Sequence, residues 1–280
     1  MRHRNFRICC AIASILFILS LIFTLFGANK NETIARIYLS QSPRKVVDDD
    51  FIEKQKKSWA EAEEARKQLL DISHHSDNEA FYKKITTEAF CPNIVRVGDS
   101  GDGGKFVCNP ELVGNNCTFM SLGLCNSIEF DVHIQSITQQ RCKIIGVDQG
   151  PQNEITTQKY KEINGQILVG TIGSKLSIGQ VLETSGSKRA EMLKIDIESS
   201  EHQALEPFLR DYFVCQIFLE IHGTPRHHLN LMRKIANLGY RIFSFEPNPL
   251  CPTCCEYSYI NELCMEQYNV LPLSNRVPLD

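Results

Sequence analysis

Residues 191–209 read EMLKIDIESSEHQALEPFL. Glu191 to Ile197 is short, mostly apolar and bounded by polar residues, which is the pattern of a buried strand. Ser199 to Leu209 then places Ala204, Leu205 and Leu209 on one side of a helix. Outward from this unit the same alternation continues in both directions. Upstream, 117–124, 142–147 and 165–169 read as strands, with helices at 127–138 and from Ile178 to Leu182. Downstream, VCQIFLEI at 214–221 is the most hydrophobic strand of the chain. An amphipathic helix at 227–238 follows, with Leu229, Leu231, Met232 and Ile235 on its apolar side. A strand at 240–246 comes next, and 270–273 is expected to pair beside it. Strands alternating with helices in this way specify an α/β fold, a doubly wound and mostly parallel sheet with both faces covered.

Composition agrees with a globular protein. Of 280 residues, 42% are hydrophobic and 22% charged, which excludes a disordered or collagenous chain. Lys and Arg number 30 against 33 Asp and Glu, a net charge of −3. With no excess of cations to displace phosphate counterions, nucleic acid is not an expected partner.

In open α/β sheets ligands bind beyond the carboxyl ends of the strands. Several polar groups fall there. Gly123 follows the first strand of the domain, where a missing Cβ lets a ligand approach the backbone. Asp148 ends IIGVD at 144–148, a place where an acid accepts from ribose hydroxyls. Asp196 and Glu198 end the next long strand, and Glu220 and His222 end the one after it. Several strands delivering acids to one edge is a more specific pattern than any one of them.

LKIDIESSEHQAL at 193–205, taken with FLEIHG at 218–223, resembles the FkbM-type class I methyltransferases, whose fourth strand reads like K-I-D-x-E-G-x-E. The resemblance extends to IVRVG at 94–98, to Asp102-Gly103-Gly104 and to NPLCPTCCEYSYIN at 248–261. Within that family it is most similar to an animal branch of membrane-anchored or secreted methyltransferase-like proteins, over about residues 88–273. The resemblance implies a seven-stranded Rossmann-like sheet of the class I methyltransferase type that binds S-adenosylmethionine. By position, Gly123 would abut the methionine portion and Asp148 would hold the ribose. Asp196 would face the amino-acid end or the transferred methyl, and Glu220 and His222 are the candidates for the base. No metal is expected. The implied activity is methylation of a hydroxyl on a glycan or a small molecule. Two positions depart from the pattern: Cys125 stands where a second glycine is expected, and Ser199 replaces the motif glycine. Cys125 would crowd the cofactor or join a disulfide that reshapes the loop.

The N-terminus sets the expected compartment. Residues 1–7 carry Arg2, Arg4 and Arg7, and 8–28 run about 21 residues without a charge, enough to span roughly 30 Å of hydrocarbon. The basic flank precedes the apolar run, so residues 1–7 read as a cytosolic tail and 8–28 as a signal anchor. Residues 29–87 read as a stem, helical from about Phe51 to Ile72, and 88–280 as the methyltransferase-like domain. The expected location is a single-pass type II protein of the secretory pathway, ER or Golgi, or a secreted protein if the helix is cleaved. A lumenal domain accommodates the cysteines, for which disulfides are favoured over zinc at Cys251, Cys254, Cys255 and Cys264. Cys91 and Cys108 are a candidate staple, and Asn31 and Asn116 begin glycosylation sequons. His74-His75 and His227-His228 are adjacent pairs and read as surface residues.

Two other function classes fit parts of the sequence. One is a methyltransferase fold kept as a binding module without activity. The other is a type II Golgi glycosyltransferase, for which Asp48-Asp49-Asp50 resembles the acidic metal motif; with no apolar strand before it, the run reads instead as a solvated helix start.

Overall fold

Period-2 burial organises the domain. In a computed structural model that describes residues 49–101 and 103–279, neighbouring strand residues send their side chains to opposite faces of one sheet. Phe119, Ile144, Met192 and Phe218 belong to one core, and Met120, Ile145, Leu193 and Leu219 to the other. A strand buried on both faces must be apolar almost throughout, which is why these segments read as continuous hydrophobic runs.

The sheet has seven strands. In chain order, β1 (Ala89–Phe90), β2 (Ile94–Val97) and β3 (Lys105–Cys108) lie outside it, and β4 (Cys117–Leu122), β5 (Cys142–Asp148) and β6 (Gly165–Val169) enter it. They are followed by β7 (Arg189–Ile195), β8 (Phe213–His222), β9 (Tyr240–Pro247), β10 (Cys254–Asn261) and the short outlying β11 (Leu271–Pro272). The spatial order is β6-β5-β4-β7-β8-β10-β9. The β4, β5, β6, β7 and β8 pairings are parallel, and β10 inserts antiparallel between β8 and β9. Strand order reverses between β4 and β7, so a crevice opens beyond their carboxyl ends. This is the seven-stranded, doubly wound sheet that the sequence led us to expect.

Helices cover both faces. α1 (Asp49–Ser73) and α2 (Asn78–Tyr82) precede the sheet, and α3 (Glu129–Ile137) and α4 (Glu154–Glu162) follow β4 and β5. α5 (Ile178–Glu183), α6 (Glu201–Asp211) and α7 (Pro225–Asn237) cover the other face. α5 starts on a reciprocal capping box between Ser177 and Gln180, and α4 on an Asn153 cap. Each buried Leu, Ile or Phe on these helices contributes about 1.5–3 kcal/mol by leaving water.

The chain divides into two units, 1–52 and 53–280. Of the first, only 49–52 is described, as the opening turn of α1, with Asp49 and Asp50 exposed. The tail, the apolar segment 8–28, the Asn31 sequon, Asp48 and Asp102 lie outside the described residues. Among the described residues no helix is long and apolar enough to cross a membrane. Within the second unit, Leu69 of α1 and Phe81 and Tyr82 of α2 join the core. The chain end is tied to α1: Gln55 donates to the Pro272 carbonyl, and Arg66 to that of Asn275.

Three expectations are corrected. Residues 270–273 do not pair beside β9; Leu271–Pro272 instead pairs with β1, and β10 occupies the place beside β9. Pro272 lacks a donor, which suits a two-residue outlying ladder and not an eight-residue strand. His228 is not a surface residue: it is fully buried, between Tyr82, Tyr257 and the Thr253 carbonyl. Burial drives its pKa down to about 4, so it is neutral at physiological pH. Cys125 is in no disulfide; it is an exposed thiol, and Cys255 is a buried one.

The remaining described cysteines pair as Cys91–Cys108, Cys117–Cys142, Cys215–Cys264 and Cys251–Cys254. The Cys251, Cys254 and Cys264 thiols are therefore consumed by disulfides, and the zinc alternative does not form.

Candidate active site

The crevice at the switch point is a cleft of about 290 Å³ lined by Gly123, Cys125, Asp148, Thr171, Asp196 and Glu198, among others. A larger hollow of about 700 Å³ opens at the opposite end of the strands, around Asn116, Arg141 and Gln267. It holds none of the strand-end acids, so the chemistry selects the smaller cleft.

Gly123 forms the floor of the crevice. Its φ is +85°, and a Cβ there would overlap the Asp196 carbonyl. Only glycine lets the ends of β4 and β7 come this close. The loop continues through Cys125 and Asn126, both left-handed at φ +46° and +60°. Their backbone N–H groups donate to Asp148 Oδ2 at 2.7 Å and to Gln152 Oε1 at 2.7 Å. Asp148 Oδ1 accepts from Gly150 N–H at 3.0 Å. The acid therefore shapes the loop and still has lone pairs to offer the cleft. The two positions where the sequence pattern led us to expect glycine are placed here. Cys125 and Ser199 (φ +75°) both occupy backbone conformations that glycine adopts without strain.

Asp196, Glu220 and His222 come together, as their strand-end placement suggested. Asp196 Oδ1 lies 3.9 Å from His222 Nε2. Glu198 Oε2 is 3.5 Å from the same nitrogen, and Glu201 Oε1 is 3.1 Å from His222 Nδ1. The hydrogen bond to Glu201 raises the His222 pKa to about 9 against the opposing effect of burial, and the charges of Glu201, Glu220 and Asp196 reinforce it. Glu220 is displaced to about 8, first by burial and then by the charges of Glu256 and Asp196. Asp196 moves the other way. Burial would raise it, but Lys105, Glu220, Lys194 and His222 hold it below the usual carboxylate range.

Two groups that complete the cluster were not singled out from the sequence. Glu256 stands directly opposite Glu220 across the β8–β10 ladder, a like-charge pairing that a sheet ordinarily disfavours. Lys105, 1% exposed at the start of β3, drops onto this pair and forms an ion pair with Glu256 Oε2. Burial opposes its charge, yet Glu256, Asp196 and Glu220 together raise its pKa, so it stays an ammonium. Lys194 shares the face of Asp196, two residues along β7, and reaches the Gly123 carbonyl at 3.4 Å. Beneath it Asp131, fully buried, accepts from Tyr160 Oη at 3.2 Å and is raised by burial to about 6. Lys194 and Asp196, at i and i+2, are the polar pair on one face of an otherwise apolar strand end, a signal the sequence carries; Lys105 has no such local signal.

Among solved structures the chain is similar to fibrillarin from Aeropyrum pernix in complex with natively bound S-adenosyl-L-methionine. The identity is 12% and the TM-score 0.38, over 53% of this chain and 68% of that one. It is also similar to precorrin-6y C5,15-methyltransferase from Geobacter metallireducens, at 10% identity and a TM-score of 0.37, over 55% of this chain and 84% of that one. No curated protein matches the chain. A family profile described as "Methyltransferase domain" matches residues 44–261. That match takes in α1, the whole cleft and β10, and by it the chain belongs to the methyltransferase-domain family.

Proposed function

We propose that the protein is an S-adenosylmethionine-dependent O-methyltransferase acting on a hydroxyl of a glycan or small molecule. The observation that carries the reading is the cleft itself. A Cβ-free floor at Gly123, an acid at Asp148 and an acidic cluster around Asp196 face one crevice at the switch point. These residues fit the group. Asp148 has acceptor capacity for ribose hydroxyls, a carboxylate-rich end suits a cationic sulfonium, and Gly123 lets the ends of β4 and β7 close up beneath them. When bound, S-adenosylmethionine would supply a methyl group that the acceptor oxygen attacks, an O–C bond forming as the C–S bonding pair leaves with sulfur as a neutral thioether. The protein's share is positioning and proton transfer. Glu220 and His222 are the candidates for taking the hydroxyl proton by their place at the end of β8, Glu220 acting in its ionised fraction because burial and neighbouring charges raise its pKa to about 8. Asn248 Nδ2 holds Glu220 Oε1 at 2.8 Å and fixes its direction. Asp196, kept ionised, faces the cationic centre.

The finer FkbM-type assignment rests on the motif at 194–201 and on left-handed Ser199 standing where that motif has glycine. The four disulfides favour an oxidising compartment, in line with a lumenal domain behind a membrane anchor at 8–28.

The test is calorimetry of S-adenosylmethionine on the full chain with its disulfides formed. Micromolar binding, weakened at least about tenfold in Asp148→Ala with the fold intact by circular dichroism, is expected, since about 1.4 kcal/mol of hydrogen bonding is lost. Absence of binding at millimolar cofactor refutes the proposal.

A further inference from the structure

Asp196, Glu198 and His222 each present one ligand atom within 4.8 Å of the others. The two edges that meet at His222 Nε2 measure 3.9 Å to Asp196 Oδ1 and 3.5 Å to Glu198 Oε2. Ligands on an ion with bonds of about 2.1 Å lie roughly 3 Å apart when cis and about 4.2 Å apart when trans. Both edges are longer than a cis pair, so the atoms must draw together by about 0.5–0.9 Å to share one face of a coordination shell. We propose that Asp196, Glu198 and His222 form a site for a divalent cation at the acceptor end of the cleft.

A second observation is independent of that spacing. Glu201, fully buried, lies with Oε1 3.1 Å from His222 Nδ1 and also accepts the His222 backbone N–H at 3.1 Å. A carboxylate on one imidazole nitrogen directs the other at the ion, which is how metal-bound histidines are usually held. Here the nitrogen so directed is Nε2, the atom facing Asp196 and Glu198. The second oxygen of Glu201 has no hydrogen-bond partner, and neither has Oε1 of the buried Glu256. Charge points the same way. Asp196, Glu198, Glu201, Glu220 and Glu256 surround the ring and its neighbours, while the ammoniums near them are Lys105 and Lys194. A second candidate set, Glu220, His222 and Cys254, is excluded because Cys254 is in a disulfide.

One imidazole with two carboxylates suits a borderline cation of the Mn²⁺ to Zn²⁺ series better than Ca²⁺. Three protein ligands leave about three of six octahedral positions open. Resting on the methyl-transfer reading, those positions would take an acceptor offering two neighbouring oxygens, such as a vicinal diol of a sugar.

The probe is Mn²⁺, titrated into the chelator-treated full chain and followed by electron paramagnetic resonance. One ion per chain is expected, with electron spin-echo modulation from an imidazole nitrogen. Glu198→Gln removes a ligand whose side chain is 86% exposed, so folding is not at stake. Glu201→Gln keeps an acceptor for Nδ1 but removes the orienting charge, and a loss of about 10–100-fold in affinity is expected. Loss of Mn²⁺ in Glu198→Gln should be at least as large. No saturable binding, no nitrogen modulation, or wild-type affinity in both variants overturns the site. S-adenosylmethionine calorimetry in chelator separates the two readings. Cofactor binding without Mn²⁺ binding removes the metal and keeps the transferase; Mn²⁺ binding without cofactor binding does the reverse.

Discussion

Replacing Lys105 with methionine would strip the ammonium from a buried cluster of carboxylates while leaving a side chain of similar length. The pair it forms with Glu256 is almost wholly out of solvent, at 1% and 9% side-chain exposure. Breaking a buried pair from one side typically costs about 3–5 kcal/mol. A second estimate bounds it independently. The stranded Glu256 can escape by taking a proton, and protonating an ordinary glutamate at pH 7 costs about 3.7 kcal/mol, the 2.7-unit distance from its usual pKa times 1.36. At pH 5 the same step costs only about 1 kcal/mol. Lys105→Met should therefore lose about 3–4 kcal/mol of unfolding free energy at pH 7 and about 1 at pH 5. Urea denaturation with the disulfides intact reads both numbers. The double variant Lys105→Met with Glu256→Gln should recover most of the loss, since no unpaired charge remains. A penalty under about 1 kcal/mol at pH 7, a penalty equal at both pH values, or strict additivity in the double variant would refute this account of the cluster.

Other outcomes follow from groups already described. Glu220, displaced to about 8, and His222, displaced to about 9, both bind protons more tightly folded than unfolded. Their contribution is complete below their ordinary pKa values and is lost as pH rises, with the two windows overlapping between about 6.5 and 8. In metal-free buffer the calorimetric unfolding temperature should fall across that window, and Glu220→Gln should flatten the fall; a rise would contradict both assignments. His228, held near 4, acts oppositely: as pH drops from about 6.5 towards 4 its loss offsets the gain Glu220 still makes, so stability should level off there, and His228→Gln should turn that plateau into a rise. Among the disulfides, Cys215–Cys264 spans 49 residues and Cys251–Cys254 only 3. Chain-entropy arguments give about 4 kcal/mol for removing the first to serine and about 2 for the second, and equal losses in denaturant would show that loop length is not what matters.

How much of this was legible in the sequence depends on where each residue's partners lie. Strands β4 to β8 are apolar on both faces, and their hydrophobic runs announced them within a residue or two. β10 was not read as a strand, because Cys254, Glu256 and Ser258 interrupt its apolar pattern. Glu256 is tolerable there only because Lys105 arrives from a hairpin far away in sequence. Helix α4 carries Thr, Gln and Lys on most of its surface, with only Thr156 and Tyr160 buried, so it lacked a readable apolar stripe. His228 shows the reverse. It stands at helical spacing from Leu231, Met232 and Ile235, so the periodicity already placed it inward, and adjacency to exposed His227 obscured that. The strand-end acids were visible because a parallel sheet delivers its carboxyl termini to one edge whatever the loops do. The imidazole–carboxylate geometry at His222 was not, because Glu201 reaches it from α6, the helix before its strand.

The cross-links are unevenly placed. Cys117 and Cys142 join β4 and β5 at their first residues, and Cys215 and Cys264 tie the start of β8 to the turn after β10. Both bonds lie at the end of the sheet away from Asp148, Asp196 and His222. The domain resembles a fan riveted at its handle. Strand register is held by covalent bonds at the end opposite the crevice, and the loops that follow β4, β5 and β7 carry no disulfide. Reduction would free the handle; at the rim it would open only the short Cys251–Cys254 loop, beside His222.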